Sequence, residues 1–466
     1  MVASVALSVW LIFLVCLLRY DPAKEPGTSR ALWVPLFWLF FAGSRLPAQW
    51  LGGQTASAAA TLEGGNSTDR NIYFFLIILA IGILISRSFK WADFIADNIP
   101  LTALILFGLL SVLWSDFAFV AFKRWFRDLG NYMAILVVLS DPQPFAAIRT
   151  LLRRIFYLLI PLSILLIKYY PRLGRAYDFF TGEATYSGAT MSKNMLGLLC
   201  MLSILYFFWD TLLRWRDRKA SKGIILVNIS FIAMSLWLMN LSSSATSKLC
   251  LAMGTLVLLC TRFKFSRHLL KVVIPMGICM YLLLFFGFGV DINGTVAQFV
   301  GRDPTLTDRT LIWKVVLGIQ TDPLLGVGYE SFWLGPRLYK VWRFYPGINE
   351  AHSGYIQMYL QLGLVGLCLL IWFLISTYRK IWKSPDIASE LIPFSMALWT
   401  ILVFYNISEA AFGGGLLWLT LLLGTITLTK REDVPLNRNL RPVLRSGNPA
   451  TYNGLRETKL SRISER

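Results

Sequence analysis

Apolar residues along this chain fall into long runs separated by short polar segments. A bilayer core about 30 Å thick needs roughly 20 helical residues at about 1.5 Å each, and most runs approach that length. A transmembrane β-barrel would instead show segments of about ten residues with alternating polarity, which the sequence lacks. The pattern predicts an all-α polytopic membrane protein with about 12 or 13 transmembrane helices, since one run is short. The predicted spans lie near residues 2–18, 31–47, 71–86, 99–114, 129–139, 155–170, 194–213, 223–241, 247–261, 272–289, 356–376, 391–407 and 415–429.

A long polar loop, from about residue 290 to 355, separates the tenth and eleventh of these spans. Within it, residues 308–320 carry apolar side chains at helical spacing, which predicts a short amphipathic helix. Thr305 or Thr307 can cap its start, and Asp322-Pro323 ends it. A glycine-rich turn follows and lets the chain fold back towards the membrane surface.

Charge patterning supports a membrane topology better than a nucleic-acid partner. The 466-residue chain is 56% hydrophobic and only 15% charged, yet its net charge is +19. If alternate loops and the C-terminal tail are cytoplasmic, they hold 29 of the 45 Lys and Arg residues, as the positive-inside rule requires. Residues 1–430 are therefore predicted to form one transmembrane catalytic domain with the 290–355 loop on the outer side. Residues 431–466 are predicted to be a basic cytoplasmic tail that is disordered or lies on anionic lipid.

Metal-binding and nucleotide-binding motifs are absent from the sequence. All six cysteines fall inside apolar spans, so neither a disulfide framework nor metal-ligand spacing is indicated. There is no Asp-x-Asp pair to hold a divalent metal on a diphosphate, and no Walker motif. We expect a protein without metal or cofactor, in which basic side chains would have to bind any anionic ligand.

Arg309 is the most informative of the outward-facing basic residues. It falls in the first turn of the predicted loop helix, where the helix dipole disfavours a cation. A bound phosphate would reverse that effect, because free N–H groups and a guanidinium can bind it together. The structural alternative is an ion pair with Asp303 or Asp308.

His352 is the second candidate, because it lies just before a long span and beside the outer arginines. With an unperturbed pKa near 6.5, a histidine can accept a proton at neutral pH. Spacing predicts that His352, Tyr355 and Tyr359 share a helical face. A hydrogen-bonded helix cap is the structural alternative for the histidine. Glu409, between the last two spans, is predicted to orient His352 or to pair with a basic residue; otherwise it is an ordinary loop acid.

At these positions the chain resembles the O-antigen ligase and polymerase superfamily of bacterial envelope glycan enzymes. The resemblance covers about residues 190–410. The pieces that carry it are Ser192-Lys193-Asn194, Ser244-Ala245-Thr246-Ser247, Gly301-Arg302-Asp303, Leu306-Thr307-Asp308-Arg309-Thr310, Pro323-Leu324-Leu325-Gly326-Val327-Gly328, Ala351-His352-Ser353-Gly354-Tyr355 and Leu362-Gly363-Leu364-Val365-Gly366. One departure is Lys248, which stands near the serine-rich motif where ligases of the family often have an arginine.

The resemblance implies a metal-independent, inverting glycosyltransferase of the GT-C type, multi-pass in the bacterial inner membrane, with its site on the periplasmic side. Its donor would be a glycan on undecaprenyl diphosphate, and its acceptor a lipid-linked chain or lipid A core. The resemblance gives Arg309 diphosphate binding and His352 activation of the acceptor hydroxyl. Further candidates for the diphosphate are Arg302, Lys248 and Arg124, and those for glycan or acceptor contacts are Tyr355, Tyr329, Asn194 and Glu409.

Three functions compete. The run from Gly301 to Trp313 is closer to exopolysaccharide-production polymerases than to ligases that load lipid A core, so a polymerase is favoured. A ligase acting on lipid A core or a protein would use the same site. A lipid-linked oligosaccharide flippase would instead have charges or broken helices at mid-bilayer depth, whereas the charges here collect at the outer end.

Overall fold

The computed structural model describes residues 2–23, 25, 27–52, 64–177, 184–216, 222–261, 263–283, 309–383, 390–426 and 428. Within these residues the chain is almost entirely helical, with one small hairpin that pairs Arg175 with Tyr186. In chain order the elements are α1 (Val2–Arg19), α2 (Trp33–Ala42), α3 (Pro47–Trp50), α4 (Ser67–Ser86), α5 (Trp91–Asp97), α6 (Ile99–Leu110), α7 (Ala118–Leu139), α8 (Pro144–Tyr169), α9 (Pro171–Gly174), β1 (Arg175–Tyr177), β2 (Ala184–Tyr186), α10 (Lys193–Arg216), α11 (Lys222–Ser242), α12 (Ala245–Cys260), α13 (Lys264–Leu282), α14 (Arg309–Leu317), α15 (Gly335–Trp342), α16 (Gly354–Lys383), α17 (Ile392–Ser408) and α18 (Gly415–Leu423).

The helices match the pattern of apolar runs, and the prediction of an all-α polytopic membrane protein is confirmed. Each predicted span overlaps a helix. Among the described residues, five helices are long and apolar enough to cross a bilayer, namely α4, α8, α10, α11 and α16. A further apolar pair, α5 and the helix from Ile99 to Trp114, is bent by 101° and can form a sixth span, and five shorter apolar helices accompany these. The full count of 12 or 13 spans stays a prediction.

Helix α7 begins eleven residues before the apolar run that predicted it. The run started at residue 129, with Lys123, Arg124 and Arg127 expected in a loop, but the helix begins at Ala118. The basic residues lie in its amphipathic first half, while the second half from Gly130 onwards is buried. Arg127 and Arg124 have carboxylate partners in Asp128 and Glu330, so their charges do not prevent the helix from packing.

A buried ionic cluster around Asp210 joins helices α8, α10 and α11. Asp210 on α10 accepts hydrogen bonds from Arg149 at 2.8 Å, from Arg214 at 3.0 Å, from Asn228 at 2.9 Å and from Arg153. Buried charges in a membrane protein persist when they pair with one another. These pairings give the cluster a structural role between α8, α10 and α11.

Helix α16 is interrupted at Gly363, and the glycine turn from the outer loop fills the break. The backbone at Gly363 has φ 62° and ψ −162°, which opens the helical hydrogen-bond ladder. Val327 N–H then donates to Leu360 O at 3.2 Å and Gly328 N–H to Gln361 O at 2.9 Å. In the other direction, Leu364 N–H donates to Pro323 O at 2.9 Å and Val365 N–H to Leu324 O at 3.1 Å. Each segment thus satisfies backbone groups that the other leaves open.

Replacing Gly363 with alanine should undo this docking. A Cβ at Gly363 would lie 2.2 Å from the carbonyl carbon and oxygen of Leu324, in a left-handed conformation. We expect a loss of about 1–3 kcal/mol of unfolding free energy, measured by thermal denaturation in detergent. Gly82→Ala on α4 is the matched control, because a Cβ there meets nothing within 4 Å and alanine favours a helix. Equal melting temperatures for Gly363→Ala and wild type would contradict the docking argument.

Candidate active site

The described part of the outer loop, from Arg309 to Ser353, has a small hydrophobic core of its own. Ile312 and Val316 on α14 pack with Phe332, Leu338 and other apolar residues. Two tryptophans join this core to the start of α16. Trp313 Nε1 donates to Ala351 O at 2.8 Å, while Trp333 Nε1 donates to Gln357 Oε1 at 2.9 Å. The loop is therefore fixed over the N-terminus of α16, directly at His352.

His352 lies outside the helix that the spacing predicted for it. Helix α16 begins at Gly354, and the backbone at His352 is left-handed, with φ 48°. The predicted helical face shared with Tyr355 and Tyr359 is therefore wrong, because the chain turns before the first helical residue. Gly354 N–H donates to Glu409 O at 2.9 Å, which joins this turn to the loop between α17 and α18.

Two carboxylates face the imidazole of His352. Its Nδ1 lies 3.1 Å from Glu350 Oε1 and 3.8 Å from Glu409 Oε2. Nδ1 itself is buried, so little water screens it from these two carboxylates. Burial lowers the pKa of His352, but Glu350 and Glu409 outweigh burial and raise this pKa to about 9. At neutral pH the resting side chain is thus mostly imidazolium, unlike the neutral histidine that the sequence suggested.

Arg309 is the first residue of α14, and its guanidinium Nη2 donates to Glu409 Oε1. Both side chains are buried. The cation at a helix N-terminus therefore has its counterion on the loop after α17. The alternative partners Asp303 and Asp308 lie outside the described residues. Glu409 contacts Arg309 and His352 with its two different oxygens and so holds both groups in one cluster.

A cavity of about 500 Å³ opens beside this cluster. His352, Glu350 and Glu409 line one side, and Asn194 and Tyr329 also reach it. Other lining residues come from α2, α4, α7, α10, α16, α17, the loop before α15 and the loop before α18. Among their side chains are Trp38, Tyr73, Arg127, Asp128, Asn131, Glu330, Gln361, Tyr405 and Phe412. This size suits a small-molecule or sugar-binding site.

Elsewhere in the lining two further carboxylates, Asp128 and Glu330, also have arginine partners. Arg127 lies 2.9 Å from Asp128, which accepts a hydrogen bond of 3.0 Å from the Tyr329 hydroxyl. Burial and the Asp128 charge raise the pKa of Tyr329 well above 10, so that its hydroxyl stays protonated and donates. Arg124 lies 3.8 Å from Glu330 Oε2, and Gln361 Nε2 donates to Glu330 Oε1 at 3.0 Å.

The structure collects only some of the residues that the sequence nominated. Arg309, His352 and Glu409 meet in one cluster, and Asn194 and Tyr329 line the cavity. Lys248 is exposed in the first turn of α12 and does not line the cavity. Arg124 is also outside the lining and pairs with the lining residue Glu330. The Tyr355 hydroxyl donates to Val403 O at 3.0 Å, away from the cavity lining. Arg302 lies outside the described residues.

Sequence reasoning missed several polar cavity residues, among them Asp128, Glu330, Glu350 and Gln361. The sequence contained one usable signal, the position of Glu350 two residues before His352. Glu330 shares with His352 a left-handed backbone, φ 52°, and strained backbone of this kind clusters at functional sites. That signal exists only in the structure.

The side chains of Glu350, His352 and Glu409 could also hold a divalent cation by distance, since their ligand atoms lie within 4.8 Å of one another. A metal ligand must be a neutral imidazole, whereas the two carboxylates favour the imidazolium here. Arg309 already occupies one oxygen of Glu409. A proton on His352 and a divalent cation in this cluster are therefore alternatives, because the imidazole must lose the proton before it can bind a metal.

Two comparisons with known proteins bear on this site. The sequence model of the O-Antigen ligase family matches residues 228–371, a stretch that contains Arg309, Glu350 and His352. Over 300 residues the chain is 25% identical to the exopolysaccharide production protein ExoQ of Rhizobium meliloti (strain 1021). That match covers 61% of this chain and 65% of the relative's length. The resemblance to the O-antigen ligase and polymerase superfamily that the motifs indicated is confirmed.

Proposed function

We propose that this protein is a periplasmic-face glycosyltransferase that moves a glycan from undecaprenyl diphosphate onto a sugar hydroxyl, most simply as a polymerase of exopolysaccharide or O-antigen repeats. The observation that carries the proposal is the cluster of Arg309, His352, Glu350 and Glu409 beside a cavity of about 500 Å³. Three of these four residues fall within the match to the O-Antigen ligase family. We place the site at the outer face of the bacterial inner membrane, from the charge pattern of the loops.

The proposed reaction is a single inverting displacement. The acceptor hydroxyl oxygen attacks the anomeric carbon and forms the new glycosidic bond, while the bond from that carbon to the diphosphate oxygen breaks. Undecaprenyl diphosphate leaves with the electron pair. The hydroxyl proton passes to His352 in its neutral form, and Glu350 and Glu409 stabilise the resulting imidazolium.

Arg309 has the task of neutralising charge on the departing diphosphate. Glu409 takes the Nη2 end of the guanidinium, and a guanidinium has five N–H donors in all. Arg302, Lys248 and Arg124 complete the proposed diphosphate contacts. Fixed cations in a water-poor site stabilise such a leaving group without needing a general acid.

The two other candidate functions differ in what the site must do. A ligase would use the same groups on a lipid A core or protein acceptor; the relative named as an exopolysaccharide production protein supports the polymerase over it. A flippase would use a broken helix to line an open path. The break at Gly363 is instead filled by backbone from Pro323 to Gly328, and the bent pair α5 and α6 contributes no residue to the cavity lining. Both observations favour an enzyme.

The direct test is transfer by the purified protein from a synthetic undecaprenyl-diphosphate oligosaccharide, with EDTA present. Wild type should give longer products, and His352→Asn should slow transfer by about 10²–10⁴-fold. Asparagine is chosen because it tolerates the left-handed backbone at this position. The control is His268→Asn, which changes the other histidine of the chain, exposed on α13. Full activity in a folded His352→Asn protein would rule out the histidine as base, and no product from wild type would overturn the function.

A further inference from the structure

The charged residues of the cavity are arranged unevenly, since four acids belong to its lining whereas two of their arginine partners do not. Asp128, Glu330, Glu350 and Glu409 all line the cavity. Arg309, which holds Glu409, and Arg124, which holds Glu330, are not part of its lining. Within the described residues, Arg127 is the one arginine that reaches the cavity, and Asp128 neutralises it at 2.9 Å. In the described part of the chain, four carboxylates therefore line the interior against two basic groups, Arg127 and His352, and each of these basic groups already contacts a carboxylate.

Such a lining recognises hydroxyl groups. An ionised carboxylate only accepts hydrogen bonds, and its bonds to O–H donors are among the strong ones. Hydrogen bonds hold these carboxylates in place. Gln361 Nε2 donates to Glu330 Oε1 at 3.0 Å, and the Tyr329 hydroxyl donates to Asp128 Oδ2 at 3.0 Å. The aromatic side chains of Trp38, Tyr73 and Phe412 line the same cavity. A lining that combines hydrogen-bond acceptors in fixed positions with aromatic side chains fits the hydroxyl groups and C–H surfaces of a pyranose ring.

This lining disfavours a sugar that carries a negative charge. A carboxylate substituent placed among Asp128, Glu330 and Glu350 would lose water and gain like-charge repulsion. Within the described part of the lining, the two basic groups already face carboxylates, Asp128 for Arg127 and Glu350 for His352. Like charges brought together at a binding surface suppress the wrong partner.

From this arrangement we propose that the cavity is a subsite for an uncharged, hydroxyl-rich glycosyl residue and that Asp128 and Glu330 make it reject uronic acids and other anionic sugars. The proposal rests on the proposed function for its place in the reaction. It assigns Asp128 and Glu330 to substrate selection and leaves the diphosphate to basic groups outside the cavity lining.

The test compares two oligosaccharides that differ only at the terminal residue, glucose against glucuronic acid. Binding to the full-length protein in detergent is measured by saturation-transfer NMR titration, and transfer by competition between the two acceptors. We expect at least about tenfold weaker binding of the glucuronide by wild type. In Asp128→Asn and Glu330→Gln, the discrimination should shrink, because each removes a negative charge while keeping the size of the side chain. Asp93→Asn is the control, since Asp93 lies on α5 and pairs with exposed Lys90.

The outcomes separate this inference from the proposed function. Equal affinities in wild type, or undiminished discrimination in both folded variants, would overturn the subsite while transfer itself could stand. Selective binding of the glucose form without any transfer would keep the subsite and overturn the glycosyltransferase. Loss of binding in one variant through misfolding is covered by the second variant and by its melting temperature.

Discussion

Transfer by the wild-type protein should accelerate about tenfold for each pH unit between about pH 6 and 8 and level off near pH 9. Only the neutral imidazole of His352 can accept the acceptor proton. The carboxylates of Glu350 and Glu409 raise the pKa of His352 to about 9, so the neutral fraction falls tenfold for each unit below that value. The measurement is kcat/KM for the acceptor as a function of pH, at fixed ionic strength.

Glu350→Gln provides the matched comparison. It removes the nearer carboxylate, 3.1 Å from Nδ1, so the rising limb of the rate profile should move to lower pH while Arg309 and Glu409 stay paired.

The stability of the fold should change with pH in the opposite direction to the rate. Because the pKa of His352 in the folded protein lies above the unfolded value near 6.5, its pairing with the carboxylates stabilises the fold fully below about pH 6.5. This stabilisation is lost as pH rises through about 9. The melting temperature of wild type should fall across this window relative to His352→Asn. A rate that is flat from pH 6 to 9 would mean that another group takes the proton.

The transmembrane framework could be predicted because it depends on local composition. Bilayer thickness fixes how long an apolar run must be, and every predicted span overlaps a helix. Helix α7 shows where this reasoning stops. Its first half, from Ala118, mixes basic and apolar residues, and the charge of Arg124 there is matched by Glu330, far away in the chain. Local hydropathy contains no information about that distant partner.

The candidate site could be predicted only in part, because several of its residues have partners far away in the sequence. Helix polarity marked Arg309, but its partner Glu409 is 100 residues away in sequence, so the pair was one of several open possibilities. The raised pKa of His352 needs two carboxylates from different segments together with a left-handed backbone. The paired glycine motifs were also visible as motifs, whereas their backbone hydrogen bonds to each other follow only from the break at Gly363.

Arg309→Met should reduce transfer by about 10²–10³-fold, the usual cost of removing one group that stabilises charge in a transition state. It should also destabilise the fold by about 3–5 kcal/mol, because buried Glu409 loses its main counterion. Arg337→Met is the control. Its partner Asp116 is 63% exposed, so removing this loop cation should cost little.

The double variant Arg309→Met with Glu409→Gln separates the loss of transfer rate from the loss of stability. Removing both charges leaves no unpaired buried ion, so the melting temperature should return towards that of wild type. If Arg309 neutralises the leaving diphosphate, transfer stays as slow as in Arg309→Met, since a methionine cannot bind an anion. Recovery of turnover together with stability would instead reduce Arg309 to a structural counterion for Glu409. In that case the diphosphate would have to be bound by the remaining basic residues, and Lys248→Met would become the decisive substitution.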